Sequence, residues 1–439
     1  MPTERAPAWQ LALAVACSAV MVAATTRIVL AAAGGESPIV PASPQIAGWL
    51  RHLTGERLSY GVFLTGVLAF AAAYAGLVAL ARRLSTRALV ALIALLYAIV
   101  FAGPILVSTD VFSYIAYARM GVLHGLNPYL SSPFAIRHDA IFPFVGVNWI
   151  FVPTAYGPLY TLLSYPFAAL GVAGAVWGMK AVALLACAGM DWLTWRCARR
   201  RGIDPKVALV TVAVNPLVVL YGLASAQNDL LMIAVMLFAV HLTLSRRDAP
   251  ARLRGRGRGR EALAGAAVVA AALVKVPAGV VLPFMVAGRR RLSAALGGVL
   301  ALAAGLGVAY AAFGSPGADI LSGASRDSAY VSGDSFAAQI AHLLGKPGVF
   351  PVDHAILRTL LVLLVIYLLA RVWRGYDWVD ASGWALLGAS VTSTWLQSWY
   401  LLWPLPLAVI ARDRRLLWAT LLVQALFVVH QLSPLLTPQ

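Results

Sequence analysis

Apolar runs of ~20 residues, separated by short clusters of arginine, recur along almost the whole chain. A helix needs ~20 mostly apolar residues to cross a bilayer. The pattern therefore predicts an all-α, polytopic transmembrane protein. Spans are expected at about 9–33, 59–81, 88–107, 173–195, 207–222, 228–245, 292–313, 355–371, 380–396, 399–411 and 416–432. Two shorter runs, 261–275 and 276–288, read as a hairpin of short helices, giving about 11–13 spans in all. The first run, Trp9 to Ala33, is long enough to span and reads as a retained helix rather than a cleaved signal.

The polar breaks carry an orientation signal. Arginines gather at 82–87, 196–201, 246–260, 289–291, 371–374 and 412–415. Cytoplasmic loops are enriched in Lys and Arg. All six clusters fall inside if 156–172 does not cross and 261–288 enters and returns. Three sizeable outer segments then remain, 34–58, 108–172 and 314–354, and the C-terminus lies outside. The whole chain, 1–439, reads as one transmembrane domain: leading spans to 107, an outer loop at 108–172, central spans at 173–313, a second outer loop at 314–354 and closing spans from 355. The run RGRGRGR at 254–260 reads as a flexible, charged tether.

Composition agrees. The chain is 61% hydrophobic and 12% charged, against roughly 25% charged in soluble domains. A net charge of +17 would suggest nucleic acid in a soluble protein. Here it follows from the inner arginine clusters, so no nucleic-acid partner is expected. Cys17, Cys187 and Cys197 show neither CxxC spacing nor nearby histidines, so neither a disulfide framework nor a metal site is expected.

The polar residues that break the apolar pattern point to chemistry. In STDVFSYIAYARMGVLHGLNPYLSSP, 108–133, Asp110 stands just past a predicted membrane exit. A carboxylate there is costly facing lipid and cheap facing a watery cleft. Tyr114 and Tyr117 share a helix face, which suggests a short helix lying along the outer surface with aromatics at headgroup level. Helix capping by Thr109-Asp110 is the plainer alternative. TAYGPLYTLLSYPF at 154–167 could be an aromatic belt or wall a groove. Asn228-Asp229 could cap a helix, Lys275 could snorkel, Trp399, Tyr400 and Trp403 could be interfacial anchors, and His430 could be a boundary residue. Under the charge-derived topology these residues converge on one membrane face. A base, a cation and aromatic platforms together suit transfer of a sugar from a lipid phosphate.

At DVFSYIAYARMGVLHGLNPY, YGPLY (156–160), NDLLM (228–232), LVKVP (273–277) and WYLLWPLP, the chain resembles the multi-spanning C-type glycosyltransferases that use polyprenyl-phosphate sugars. It is most similar to the bacterial polyprenyl-phosphomannose-dependent enzymes that build α-1,6 mannan. The resemblance runs over about 100–435. Two features depart from the pattern: Gln227 stands where relatives often carry histidine, and Asp110 follows the third apparent span rather than the first. The resemblance implies a C-type fold with juxtamembrane helices in the first outer loop. It also implies inverting, single-displacement transfer of mannose from polyprenyl-phosphate mannose to a glycolipid or glycan, on the outer face of a bacterial plasma membrane. Asp110 would be the general base. Lys275, Arg326, Lys180 and His430 are the candidates for the donor phosphate, in that order. Tyr114, Asn127, Tyr129, Tyr156, Asn228, Asp229, Gln397, Trp399 and Tyr400 would bind substrate. Neither metal nor other cofactor is expected. The competing expectations are a secondary transporter or lipid-linked sugar flippase, which would place its ionisable residues near the midplane with inverted repeats, and a structural membrane protein.

Overall fold

The structure is a computed structural model that describes residues 7–34, 57–244, 257–314 and 330–431. Arg326, residues 35–56 and the first part of the arginine-rich tether lie outside the described residues. Among the described residues there are sixteen α-helices and no strand. In chain order they are α1 (Ala8–Ala33), α2 (Tyr60–Leu80), α3 (Thr86–Ala102), α4 (Asp110–His124), α5 (Pro158–Ser164), α6 (Gly171–Arg201), α7 (Pro205–Ala213) and α8 (Asp229–Thr243). Then follow α9 (Gly257–Val274), α10 (Val281–Arg289), α11 (Leu292–Phe313), α12 (Phe336–Leu343), α13 (Pro351–Trp373), α14 (Trp378–Thr392), α15 (Leu405–Ile410) and α16 (Arg414–His430).

Local chemistry sets the boundaries. Ser59, Ser85, Asp204, Ser335, Asp377 and Asp413 each accept backbone N–H groups at a helix start, satisfying donors that have no intrahelical partner. Gly202 ends α6 in the left-handed conformation, φ 74°, which costs glycine no Cβ clash.

Five helical runs are long and apolar enough to cross a membrane: Ala8–Ala33, Tyr60–Arg83, Pro158–Arg201, Leu292–Phe313 and Pro351–Trp373. Pro205–Ala213 with Leu217–Leu223 makes a sixth if that pair, bent by 44°, counts as one span. Four further apolar helical runs are shorter: Thr86–Ala102, Asp229–Thr243, Val276–Arg289 and Ser398–Ile410. The protein is thus polytopic and all-α, but several expected spans are broken. The 207–222 run breaks at Asn215-Pro216, where the proline cannot donate. Asn215 covers the gap, its Oδ1 accepting from Leu217 N–H (3.0 Å) and its Nδ2 donating to Gln424 (2.9 Å). Such breaks persist only where protein re-satisfies the freed groups. The 156–172 stretch forms no separate span; it is α5 and a 3-10 segment running into α6.

Helix α8 packs between α6 and α9, and α9 packs on α11. A Cβ on Gly265 would stand 1.8 Å from Ala294 O, and one on Gly297 1.9 Å from Ala262 O. The two backbones meet through glycine, as small residues allow between membrane helices.

Helix α4 corrects the surface-helix expectation. Every residue from Val111 to Ala118 is buried. The polar groups of α4 find partners inside the protein. Tyr117 OH donates to Val152 O (2.8 Å), and Arg119 donates to Asp139 (2.7 Å) and Ala168 O (2.8 Å). Asp139 also receives His124 (2.8 Å). Burial pushes the Asp139 carboxyl up, but hydrogen bonds from Arg119 and His124 outweigh it, so its pKa lies below the ordinary value. These bonds tie the 126–156 loop over α4.

Candidate active site

A cavity of about 840 Å³ opens where the start of α4, the end of α9, the flank of α13 and the 389–403 segment meet. Asp110, Tyr156, Lys275, Gln397, Trp399 and Tyr400 line it, so six of the residues singled out in the sequence share one cavity. His354 and Arg358 on α13, and Trp149, Trp395 and Trp403, line it too.

Asp110 is half-buried at the first turn of α4. The Thr109 side chain makes no cap hydrogen bond, while the Ser108 hydroxyl accepts from Asp110 N–H at 3.1 Å. The backbone before it is strained. Val107 has φ 66°, a rare conformation for a β-branched residue. Ser108 N–H reaches back to Leu106 O (2.7 Å), closing a three-residue turn. A second segment braces it. Leu106 N–H donates to Ala224 O (3.1 Å), and the Ser225 hydroxyl donates to Leu106 O. The bracing segment is itself strained, with Ala226 at φ 51°, and it runs straight into Asn228-Asp229. Strain of this kind persists only where surroundings over-determine it.

Asp229 is fully buried and grips Lys275, with Nζ at 2.8 and 3.0 Å from its two oxygens. The Trp403 indole N–H donates to the same carboxylate at 2.6 Å. Lys275 therefore does not snorkel. Its ammonium sits 4.5 Å from the centre of the Tyr400 ring, which stacks on Trp403 at 4.4 Å, a cation–π arrangement. An ammonium has three donors; two go to Asp229.

YGPLY carries its own explanation. A Cβ on Gly157 would stand 2.0 Å from Leu273 O, and Gly157 N–H donates to Val274 O at 3.1 Å. Only glycine lets this strand of chain lie against the end of α9, which brings Tyr156 beside Lys275. Tyr114 packs edge-on against Tyr156 (4.6 Å) and donates to Gln227 (3.0 Å). It supports the lining from behind.

The remaining expected site residues lie outside this lining. Tyr129 donates to Tyr156 O (2.9 Å), and Asn127 fixes the loop by donating to Phe313 O (2.8 Å). Asn228 is buried, and its side-chain amide has no hydrogen-bond partner among the described residues. Lys180 is buried under Trp177 and donates to the carbonyls of Val100 and Gly103 at the end of α3. His430 sits 3.6 Å from Asp334. Neither of these two cations reaches the cavity. His354 and Arg358 went unnoticed in the sequence. The available signal was a basic pair at i, i+4 on the face of α13 that also carries Leu357, Leu361 and Val365.

Chemically, a carboxylate and two basic side chains share this cavity with a paired lysine. Leu357, Leu361 and Val365 continue the lining along α13. These features define the class: a polytopic, all-α membrane protein enclosing a charged and aromatic cavity. Over residues 11–289 the chain matches the alpha-(1->6)-mannopyranosyltransferase family, N-terminal domain, and it belongs to that family. It is 33% identical over 152 residues to a Mycolicibacterium smegmatis protein named "Probable alpha-(1->6)-mannopyranosyltransferase", covering 34% of this chain and 27% of that one. It is 31% identical over 151 residues to an alpha-(1->6)-mannopyranosyltransferase of Mycobacterium tuberculosis, covering 33% and 25%. It is 26% identical over 199 residues to alpha-(1->6)-mannopyranosyltransferase A of Corynebacterium glutamicum, covering 44% and 37%. The matched segments thus span between a quarter and two fifths of those relatives' lengths. No solved structure matches the chain.

Proposed function

We propose that this protein transfers a mannosyl residue from polyprenyl-phosphate mannose to a glycolipid or glycan acceptor, with inversion, on the extracytoplasmic face of a bacterial plasma membrane. The observation that carries this is the shared lining of one cavity: Asp110, Lys275, His354 and Arg358 at its polar part, then Leu361 and Val365 along α13. At ~1.5 Å per residue, Val365 lies about 10 Å along the helix from Arg358. That run suits an anionic headgroup followed by an apolar tail.

In this mechanism Asp110 takes the proton of the acceptor hydroxyl as its oxygen bonds to the anomeric carbon. The bond from that carbon to the phosphate oxygen breaks, and its electrons leave with polyprenyl phosphate. An ionised phosphate needs no proton to depart. It needs positive charge, because preorganised electrostatics act most strongly where charge develops in a dry site. Arg358 supplies that charge, with the third Lys275 donor, and His354 offers a ring nitrogen as a further hydrogen-bond partner. Side chains fill the role a metal would otherwise take. Arg326 remains a candidate for the same anion, whereas Lys180 and His430 are given no part.

The test is transfer by purified protein from labelled polyprenyl-phosphate mannose to a panel of mannosylated lipid acceptors. Asp110→Asn should lower turnover by about 10²–10⁴-fold while donor binding persists. Wild-type turnover in that variant would overturn the mechanism. Activity should also survive EDTA; a loss restored by Mg²⁺ or Mn²⁺ would overturn its metal independence.

A further inference from the structure

A transferase needs two substrate sites around one base, and the cavity lining holds two chemically different groups. Along α13 it is basic, then aliphatic. The second group is aromatic: Trp149 and Trp395, with Asn148, line the cavity together with Thr109 and Asp110. The two groups meet where Thr394 Oγ1 stands 3.3 Å from His354 Nδ1. Trp149 and Trp395 stand edge to face at 5.9 Å, and Tyr330 closes the group at 5.5 Å from Trp395 and 6.3 Å from Trp149. All three rings are only partly covered by protein.

This cluster is built rather than incidental. Its rings come from three separate segments, two of which, at 330–332 and 394–396, are locked together by polar bonds. Ser332 N–H donates to Thr394 O (2.8 Å), and Ser332 Oγ donates to Leu396 O (2.8 Å) and accepts from Leu396 N–H (3.1 Å). Thr394 Oγ1 donates to Tyr330 O (2.9 Å). The Trp149 loop is pressed onto the segment carrying the carboxylate: a Cβ on Gly146 would stand 2.4 Å from Thr109 Oγ1 and 3.2 Å from Trp149. The aromatic group is therefore held in register with Asp110, one residue away from its contact at Thr109.

We propose that Trp149 and Trp395 form the acceptor subsite, one indole stacking on the apolar face of a pyranose ring and the other, nearly perpendicular at 86°, bordering it, with a sugar hydroxyl offered to Asp110. This rests on the transferase reading above and assigns its second substrate. Ring faces of sugars carry C–H groups that pack on the negative face of an indole, while Asn148 supplies a polar partner in the lining. An anchoring role at the membrane surface would account for exposed tryptophans, but not for two that line the cavity, one of them on a loop packed against the residue preceding the base.

The experiment separates acceptor from donor kinetics. Trp149→Ala and Trp395→Ala should each raise the apparent KM for a mannosylated acceptor by about three- to tenfold. The donor KM should stay unchanged, and Trp149→Phe should restore most of the loss. Intrinsic fluorescence is read in parallel, by titrating the detergent-solubilised protein with a soluble manno-oligosaccharide. A saturable change that Trp149→Phe and Trp395→Phe both diminish supports the subsite and does not depend on turnover. A raised donor KM, or an acceptor KM that neither alanine variant moves, would overturn the subsite and leave the transferase reading standing. Oligosaccharide binding without any transfer would do the reverse.

Discussion

The two walls of the cavity are built on opposite physical terms. One wall, formed by the start of α4 and the end of α9, is deep in protein and is held by polar bonds to residues 224–229 behind it. The other is α13, of whose most apolar window only 11% is buried. Ile356, Leu360, Leu363 and Ile366 of α13 are each more than half exposed, while Leu357, Leu361 and Val365 face the cavity. Fixed chemistry needs preorganised groups, and these are the buried polar ones that the polypeptide must satisfy internally. In the transferase reading, lipid access would need a wall that bilayer can replace, and an aliphatic helix with few protein neighbours suits it. The contrast teaches that the buried, hydrogen-bonded part of the lining and its aliphatic part come from different helices, with His354 and Arg358 carried on the second.

Breaking the fixed wall should have the largest effect. Asp229→Ala strands the Lys275 ammonium and the Trp403 indole N–H in a buried site, which should cost about 3–5 kcal/mol. Thermal unfolding in detergent measures it. The double variant Asp229→Leu/Lys275→Met should recover much of that stability, because removing both partners leaves no orphaned charge, yet should stay inactive. Recovery of turnover along with stability would show that the pair is structural alone. Next comes Gly157→Ala, whose new methyl would have to displace the Leu273 carbonyl. Overpacking of this kind costs about 1–3 kcal/mol, and turnover should fall further than stability explains, because Tyr156 and Lys275 lose their register.

Ser225→Ala sharpens the comparison more gently. It removes one buried hydrogen bond onto the strained turn at Val107, about 1 kcal/mol, and should lower kcat severalfold with donor KM unmoved. An unchanged kcat would separate that brace from Asp110. The smallest effects belong to the lipid-facing wall. Leu361→Gln should raise donor KM severalfold, whereas Leu360→Gln, one residue on and turned away from the cavity, should leave it alone. Equal responses from the two would sink the assignment of this face to the lipid chain.

What could be read beforehand follows the same division. The apolar runs located nearly every helix to within a few residues, since helix length and hydrophobic content are local properties. Asn215-Pro216 was legible in the sequence as the end of a span, even though the apolar run continues to 222. Whether a proline breaks a span or is tolerated depends on what neighbours re-satisfy the freed backbone. Tyr114 and Tyr117 looked like a membrane-surface stripe because a buried tyrosine and an interfacial one have the same spacing. Only the loop packed over α4 distinguishes them.

The amino-acid order alone determined an all-α, multi-spanning chain and singled out Asp110, Tyr156, Lys275, Gln397, Trp399 and Tyr400, because a polar group amid apolar ones is expensive and so conspicuous. The tertiary structure decided which cations accompany that carboxylate. It bound Lys275 to Asp229, sent Lys180 to the end of α3, left His430 beside Asp334, and brought in His354 and Arg358. Charge is written in the sequence, but partnership in a low-dielectric interior is a matter of a few ångströms between segments far apart in the chain, and nothing local fixes that distance.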